Sequence, residues 1–451
     1  VQHANVQNSG NIVVTKTTAP LFRLDYDFWS SPVSGTQNLQ AFSPSTTSNR
    51  FYTYNTATNL FNTIASPSTT TFATGKGYLI RMPNNWVGYS ATATAARWTG
   101  SFVGVPNNGD ITLAIADNGE GYRYNAVGNP YPSAIDISDF IENNANSIEG
   151  TLWFWRKTND ANNPLSYSTC TATGCTLNNN FTIYTDDTVV TSGQGFVVNA
   201  KPNQSSVVFK NSMRRANNTD EFFKTTTSTK DRYWLDVKNS SNNSFSQVLI
   251  AHLPNATTAY DNGYDGLYIN DSQTVLSAIV DSRELVIDAL PSFDALTVVP
   301  LQFRTDAADT YTIQLNKTDG IFNNDQTVYL RDNATGTIQD LKAGSFTFTV
   351  DPGTYSGRFD ILYATPLSTT QQSINADEVV VYKKESLLSV KSETLTIDNV
   401  KIFDINGRLV VEKNKINSNQ VSFDMSNYAN QMMLVQITAE NGAKITKKIL
   451  N

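Results

Sequence analysis

The chain has only two histidines in 451 residues, His3 and His252, so a serine or cysteine nucleophile has almost no choice of general base. His3 stands near the start. His252, in LIAHLPN, reads as a surface or sheet-edge histidine at the end of a strand. The sequence contains no G-x-S-x-G, H-E-x-x-H or phosphate-loop pattern, so it carries no signature of a nucleophile elbow, a zincin site or a nucleotide cradle. Carboxylate chemistry of the glycosidase kind needs two acids facing each other across a cleft. Asp25 and Asp27 share one face of a predicted strand beside Trp29, and Asp186 and Asp187 occupy a turn, but neither pair points to a partner. The expectation is a non-catalytic protein.

Three other constellations suit binding or bracing. In YDNGYDGLYINDS, the residues Asp261, Asn262, Asp265, Asn270 and Asp271 could gather oxygens around calcium. The loop lacks the EF-hand spacing and its terminal Glu, and it reads equally as a Gly/Asp-rich turn; no other cofactor is expected. Cys170 and Cys175, in CTATGC, suit either a local disulfide in an oxidising compartment or two free thiols. With no histidine beside them they make a poor metal site. Trp86, Trp153 and Trp155 are candidate glycan contacts: in TLWFWRK, Trp153 and Trp155 lie on one strand face and Phe154 on the other. Exposed, such rings form a carbohydrate platform; buried, they are sheet core.

These residues sit on a chain that reads as strand after strand. At 49.6 kDa it can hold two to four domains with real cores. Hydrophobic residues make up 39% and charged residues 16%, and Asn, Ser and Thr fill the difference, a surface chemistry that suits an extracellular protein. The net charge is -7, and no basic stripe exists for nucleic acid. Residues 1–222 read as a β-rich module with one short helix beginning after Pro132, built on Ile135, Ile137, Phe140 and Ile141 with Asp136 or Ser138 near its cap. Within it GKGYLIRMP and GQGFVVNAKP have a related shape and are expected on similar strands. Composition shifts near 220–230. Residues 231–364 then carry eight short alternating segments separated by Asn, Asp, Gly and Pro turns, the pattern of a β-sandwich. Residues 365–378 lack apolar periodicity and read as a linker. From 379 to 451 six further strands make a small β-domain, richer in Lys and Arg than in Asp and Glu.

The C-terminal segments VKIFDINGRLV, VSFDMSNYANQMMLVQITAENG and KITKKILN resemble the sorting domains of proteins exported by the type IX secretion system of Bacteroidota. The middle piece has NQMMLVQI where the commonest signal has a glycine before tyrosine, and the familiar proline-asparagine-proline opening is missing. Both point to the type C group. RYWLDVKNS, QVLIAHLPNATTAYDNGYDG and TVYLRDNATG resemble the β-domain that precedes this signal, and RLDYDFWSSPVSG, YNAVGNPYPSAIDISDFI and GQGFVVNA a module further upstream. The resemblance implies an all-β secreted or cell-surface protein that passes through the periplasm, possesses a C-terminal address read by the outer-membrane translocon and its associated export proteins, and serves adhesion or gliding motility. Gly407, Arg408, Gly442, Lys444, Lys447 and Lys448 are the candidate recognition residues. The alternative is a carbohydrate-binding module contacting a surface glycan through the tryptophans.

Overall fold

The computed structural model describes residues 4–90, 92–155, 167–176, 188–215, 230–241, 244–269, 272–364, 378–405, 407–428, 431–440 and 444–450. The fold is all-β, with β-sandwich architecture, and it divides into two compact units, 1–364 and 365–451.

In the first unit, the N-terminal module is a set of small sheets. One has the order Tyr26–Trp29, Tyr78–Arg81, Phe51–Asn55, Leu60–Thr63; another has Cys175–Thr176, Tyr167–Cys170, Ile148–Trp155, Gly195–Ala200, Tyr124–Gly128. The two glycine-led segments of related sequence flank one ring. A Cβ on Gly77 would stand 2.8 Å from the Phe28 ring, and one on Gly195 3.0 Å from it. The expected helix forms at Ile137–Asn143, capped by the Asp136 carboxylate, which accepts from the Asp139 amide. It buries Ile137, Phe140 and Ile141 against Phe196 and Phe209. Ile135 lies just outside it, in the strand Ala134–Asp136. A second helical turn, Leu39–Phe42, starts at the Asn38 cap, where no apolar period announces it.

From Asp231 to Leu362 an eleven-stranded sheet forms. Its order begins Thr337–Asp340, Tyr329–Asp332, Gly353–Leu362, Val298–Thr305, Thr274–Val280 and continues Arg283–Leu290, Phe245–His252, Asp231–Asn239, Asp309–Asp319, Phe346–Val350. Leu330 near one end and Phe348 at the other pack in the same core with Tyr233, Phe303 and Phe359. The sheet therefore curls over itself, and its two halves make the layers of the sandwich. Thr274–Val280, at the centre, was not among the eight expected strands. Its pattern is a continuous buried run, not alternation.

The N-terminal module and the sandwich pack together within this unit. Gly150 and Gly263 meet backbone to backbone: a Cβ on Gly150 would lie 2.2 Å from the Gly263 Cα. The Gly150 amide donates to Asn262 Oδ1 at 2.7 Å, and Trp153 Nε1 to the Leu267 carbonyl at 3.1 Å.

The second unit has a three-stranded sheet, Val379–Lys384, Leu387–Ser392, Gln420–Asp424, and a four-stranded sheet, Leu409–Lys413, Ile397–Asp404, Met432–Ala439, Lys444–Leu450. Between them Leu388, Val390, Val400, Ile402, Val421, Met433, Val435 and Ile437 form a core of their own.

Candidate functional site

The four-stranded sheet of the C-terminal unit carries most of the expected recognition residues. Its last strand, Lys444–Leu450, pairs with Met432–Ala439 and alternates regularly between exposed and half-buried positions. Period two then sorts its lysines. Lys444 and Lys448 point outward with Thr446 and Leu450, whereas Lys447 lies on the inner face between Ile445 and Ile449, which pack on the core. The three lysines expected to act together are thus split two and one. The stem of Lys447 covers the core edge, the usual arrangement for a long cationic side chain beside apolar surface.

Register places apolar groups beside the outward lysines. Phe403, Leu434 and Lys448 face each other across three strands, and Met432 stands opposite Leu450. Met432 and Leu450 are exposed, at 41% and 64%, so the outer face joins an apolar corner to cationic side chains. Lys401 on the neighbouring strand is paired with Glu412 at 3.3 Å. Reading the strand KITKKIL by parity, together with its neighbour MMLVQITA, is enough to find this face; reading lysines alone is not.

Gly407 and Arg408 sit at the turn after Ile397–Asp404. Gly407 has φ +78, a conformation that costs other residues, and a Cβ there would touch nothing, so glycine serves the turn and not a packing need. The Asp404 carboxylate accepts from the Arg408 amide at 3.0 Å and from Arg408 Nε at 3.1 Å. Asp404 is nearly buried while the Arg408 side chain is 81% exposed, so a local carboxylate anchors the guanidinium and leaves most of it facing solvent. Gly442 lies outside the described residues.

The tryptophans do not form a platform. Trp153 is wholly buried, because both faces of Ile148–Trp155 are covered, and its ring packs with Phe28, Leu79 and Val197. Trp86 is half-buried and its Nε1 donates to the carbonyls of Leu21, at 3.0 Å, and Ala96, at 3.3 Å, bracing two paired strand ends. Trp155, also half-buried, lies edge-on between Phe61 and Tyr167.

Among the described residues the calcium arrangement is not assembled. Asp265 is buried and accepts from the amides of Asp261, at 2.7 Å, and Ala289, at 2.8 Å. Asp261 accepts from Thr257, and Asn262 from Gly150. These oxygens are consumed in bracing the loop; Asn270 and Asp271 lie outside the described residues. Among the described residues no three His, Cys, Asp or Glu side chains gather to hold a metal. Asp25 is not on the strand with Asp27: it closes the preceding turn, accepting from the Phe22 amide at 2.7 Å. Asp186 and Asp187 lie outside the described residues.

His252 is corrected from a surface residue to a buried one, 3% exposed. Its Nδ1 faces the Pro291 carbonyl at 3.0 Å, and its Nε2 the Tyr363 hydroxyl at 2.7 Å. A carbonyl only accepts, so Nδ1 carries the proton, Tyr363 donates to Nε2, and Tyr233 donates to Tyr363 at 2.8 Å. Burial lowers the pKa of His252 and raises those of both tyrosines. On the adjacent strand Asp288 is pushed up to about 7, by burial first and then by the Asp265 carboxylate; burial pushes Asp265 itself up to about 6. The groups are enclosed in the sandwich, where they specify packing.

Cys170 and Cys175 form a disulfide. No described helix is long and apolar enough to cross a membrane.

Residues 1–363 match a family described as Domain of unknown function (DUF8693), and residues 367–451 match one described as Domain of unknown function (DUF8694). No curated protein matches. Among solved structures, an immunoglobulin-like β-sandwich protein of the DUF3244 family from Bacteroides vulgatus is 18% identical, covering 16% of this chain and 83% of its own, with a TM-score of 0.16. A polysaccharide lyase is 9% identical over 49% of this chain and 39% of its own, with a TM-score of 0.13. A biofilm-associated protein's BSP domain is 11% identical over 99% and 97%, also at 0.13.

Proposed function

We propose, for a chain that belongs to the DUF8693 family, a non-catalytic secreted or cell-surface protein whose C-terminal unit is the address for passage through the type IX outer-membrane translocon. The observation that carries the reading is the separate compactness of residues 365–451, with a core of their own behind an outer sheet face of Lys444, Lys448, Leu434, Met432 and Leu450. A folded β-unit of this kind can be gripped as a unit. Its sheet edge can accept a strand, and its mixed apolar and cationic face supplies both area and long-range attraction to an acidic receptor. Adhesion or gliding motility would then belong to the first unit.

The test is export. Residues 365–451 fused to a periplasmic reporter in a Bacteroidota host should deliver it outside the cell, and a Lys448→Glu, Leu434→Asp fusion should leave it in the periplasm. Retention of the reporter by both the unaltered 365–451 fusion and one carrying 231–451 ends the proposal. Glycan binding is a weaker second reading. It rests on the half-exposed rings of Phe61, Trp155 and Tyr167, and it predicts glycan-array binding that Trp155→Ala abolishes.

A further inference from the structure

We propose that the Cys170–Cys175 loop is a conformational clasp: it couples the N-terminal module to the sandwich as one cooperative body, and a dithiol that opens it uncouples them. The loop is buried at the junction, with Cys170, Thr171 and Thr173 each at 1% exposure or less and Cys175 at 4%. Buried carbonyls must find donors, and here these come from one face of the sandwich's strand Asp231–Asn239 and the residue before it. Lys230 Nζ donates to the Ala172 carbonyl, Arg232 Nη1 to Thr173 at 2.6 Å, and Trp234 Nε1 to Cys175 at 2.8 Å. The alternate residues Tyr233, Leu235 and Val237 point the other way, into the sandwich core. The same strand therefore holds the sandwich with one face and the loop with the other.

The loop answers in kind. The Ala172 amide donates to the Gly263 carbonyl at 2.9 Å, and the hydroxyls of Thr171 and Thr173 both donate to Tyr264, at 2.8 and 2.7 Å. Each of these bonds requires a fixed loop shape. That shape is set from within by the Thr171 amide on the Gly174 carbonyl, at 2.9 Å, and by the covalent bridge across its base. Reduction breaks one S–S bond. Two electrons and two protons from the dithiol make two cysteine thiols, and the dithiol becomes a disulfide. The loop then gains conformational freedom, and the donors of Lys230, Arg232 and Trp234 lose a preformed set of acceptors.

Calorimetry and amide exchange on the full chain test this. The wild type should unfold residues 1–364 in a single transition, whereas Cys170→Ser/Cys175→Ser should split that transition in two. In the variant the amides of Ala172 and Gly150 should exchange at least about tenfold faster while that of Ile250 stays unchanged. Trp234→Phe, which keeps the disulfide and removes one donor, should give a smaller rise at the same amides. A double-serine variant with an unsplit transition and wild-type exchange overturns the proposal. If that variant does not fold, wild-type protein treated with dithiothreitol gives the same readout: unchanged exchange with both thiols titratable, or a bond that stays closed until global unfolding, overturns it.

Discussion

The sandwich of the first unit has a core crowded with aromatic rings and threaded by the hydrogen-bonded series Tyr233, Tyr363 and His252, whereas the core of the C-terminal unit is almost wholly aliphatic, with Phe423 its one ring among the described residues. Aliphatic burial is non-directional and tolerant of small shifts; buried hydroxyls, imidazole and carboxylate demand particular partners and respond to protons. The contrast separates a body specified by polar pairing from a small unit specified by volume and alternation. The latter is the simpler object to fold on its own.

The largest expected effect lies in the pH response of the sandwich. The carboxyl of Asp288 titrates at about 7 when folded and near 3.8 when exposed, so the folded state holds a proton that the unfolded chain releases. Stability from this group is fully present below pH 4 and falls as pH rises to about 7, by on the order of 4 kcal/mol. His252, its pKa lowered by burial, acts in the opposite sense on acidification. Urea titrations of Asp288→Asn between pH 4 and 8 should show a shallower decline, the part due to Asp265 remaining; an unchanged slope removes Asp288 from the account. Next, Ile402→Ala, in the aliphatic core, should cost about 3 kcal/mol. Calorimetry should show only the C-terminal transition falling, by the same amount at pH 5 and pH 8. A pH-dependent loss there would erase the contrast. Tyr363→Phe leaves the His252 and Tyr233 groups without their common partner and should destabilise the sandwich by about 1–2 kcal/mol, with the C-terminal transition unmoved. Smallest is Gly407→Ala, about 1 kcal/mol from a forced positive φ, read as a slight drop in the C-terminal midpoint.

Strand segments were legible from short apolar runs between turn residues: all eight expected in the sandwich form, as do all six in the C-terminal unit. Thr274–Val280 escaped although it is covered no more fully than the expected strand Phe245–His252, and Leu387–Ser392, in LLSVKS, because Ser389 and Ser392 are buried where apolar residues were sought. The site was legible in part. The lysines were read as one group, and only the paired strand Lys444–Leu450 shows Lys447 on the opposite face from Lys444 and Lys448. Trp153 and His252 were not legible, since what buries them lies far along the chain: Leu267 for one, and for the other Tyr363, at a separation of 111 residues. A local reading gives a side chain's direction on its strand, but not what a distant segment lays over it.

The bare meeting of Gly150 and Gly263 has a bearing on grafting. A foreign sandwich offered to this N-terminal module would have to bring a loop that approaches as a naked backbone ribbon, with an amide-side-chain acceptor where Asn262 stands. Any methyl at the crossing would wedge the pieces apart. Shuffling at this seam is thereby penalised, so the partners should travel through evolution as a matched pair.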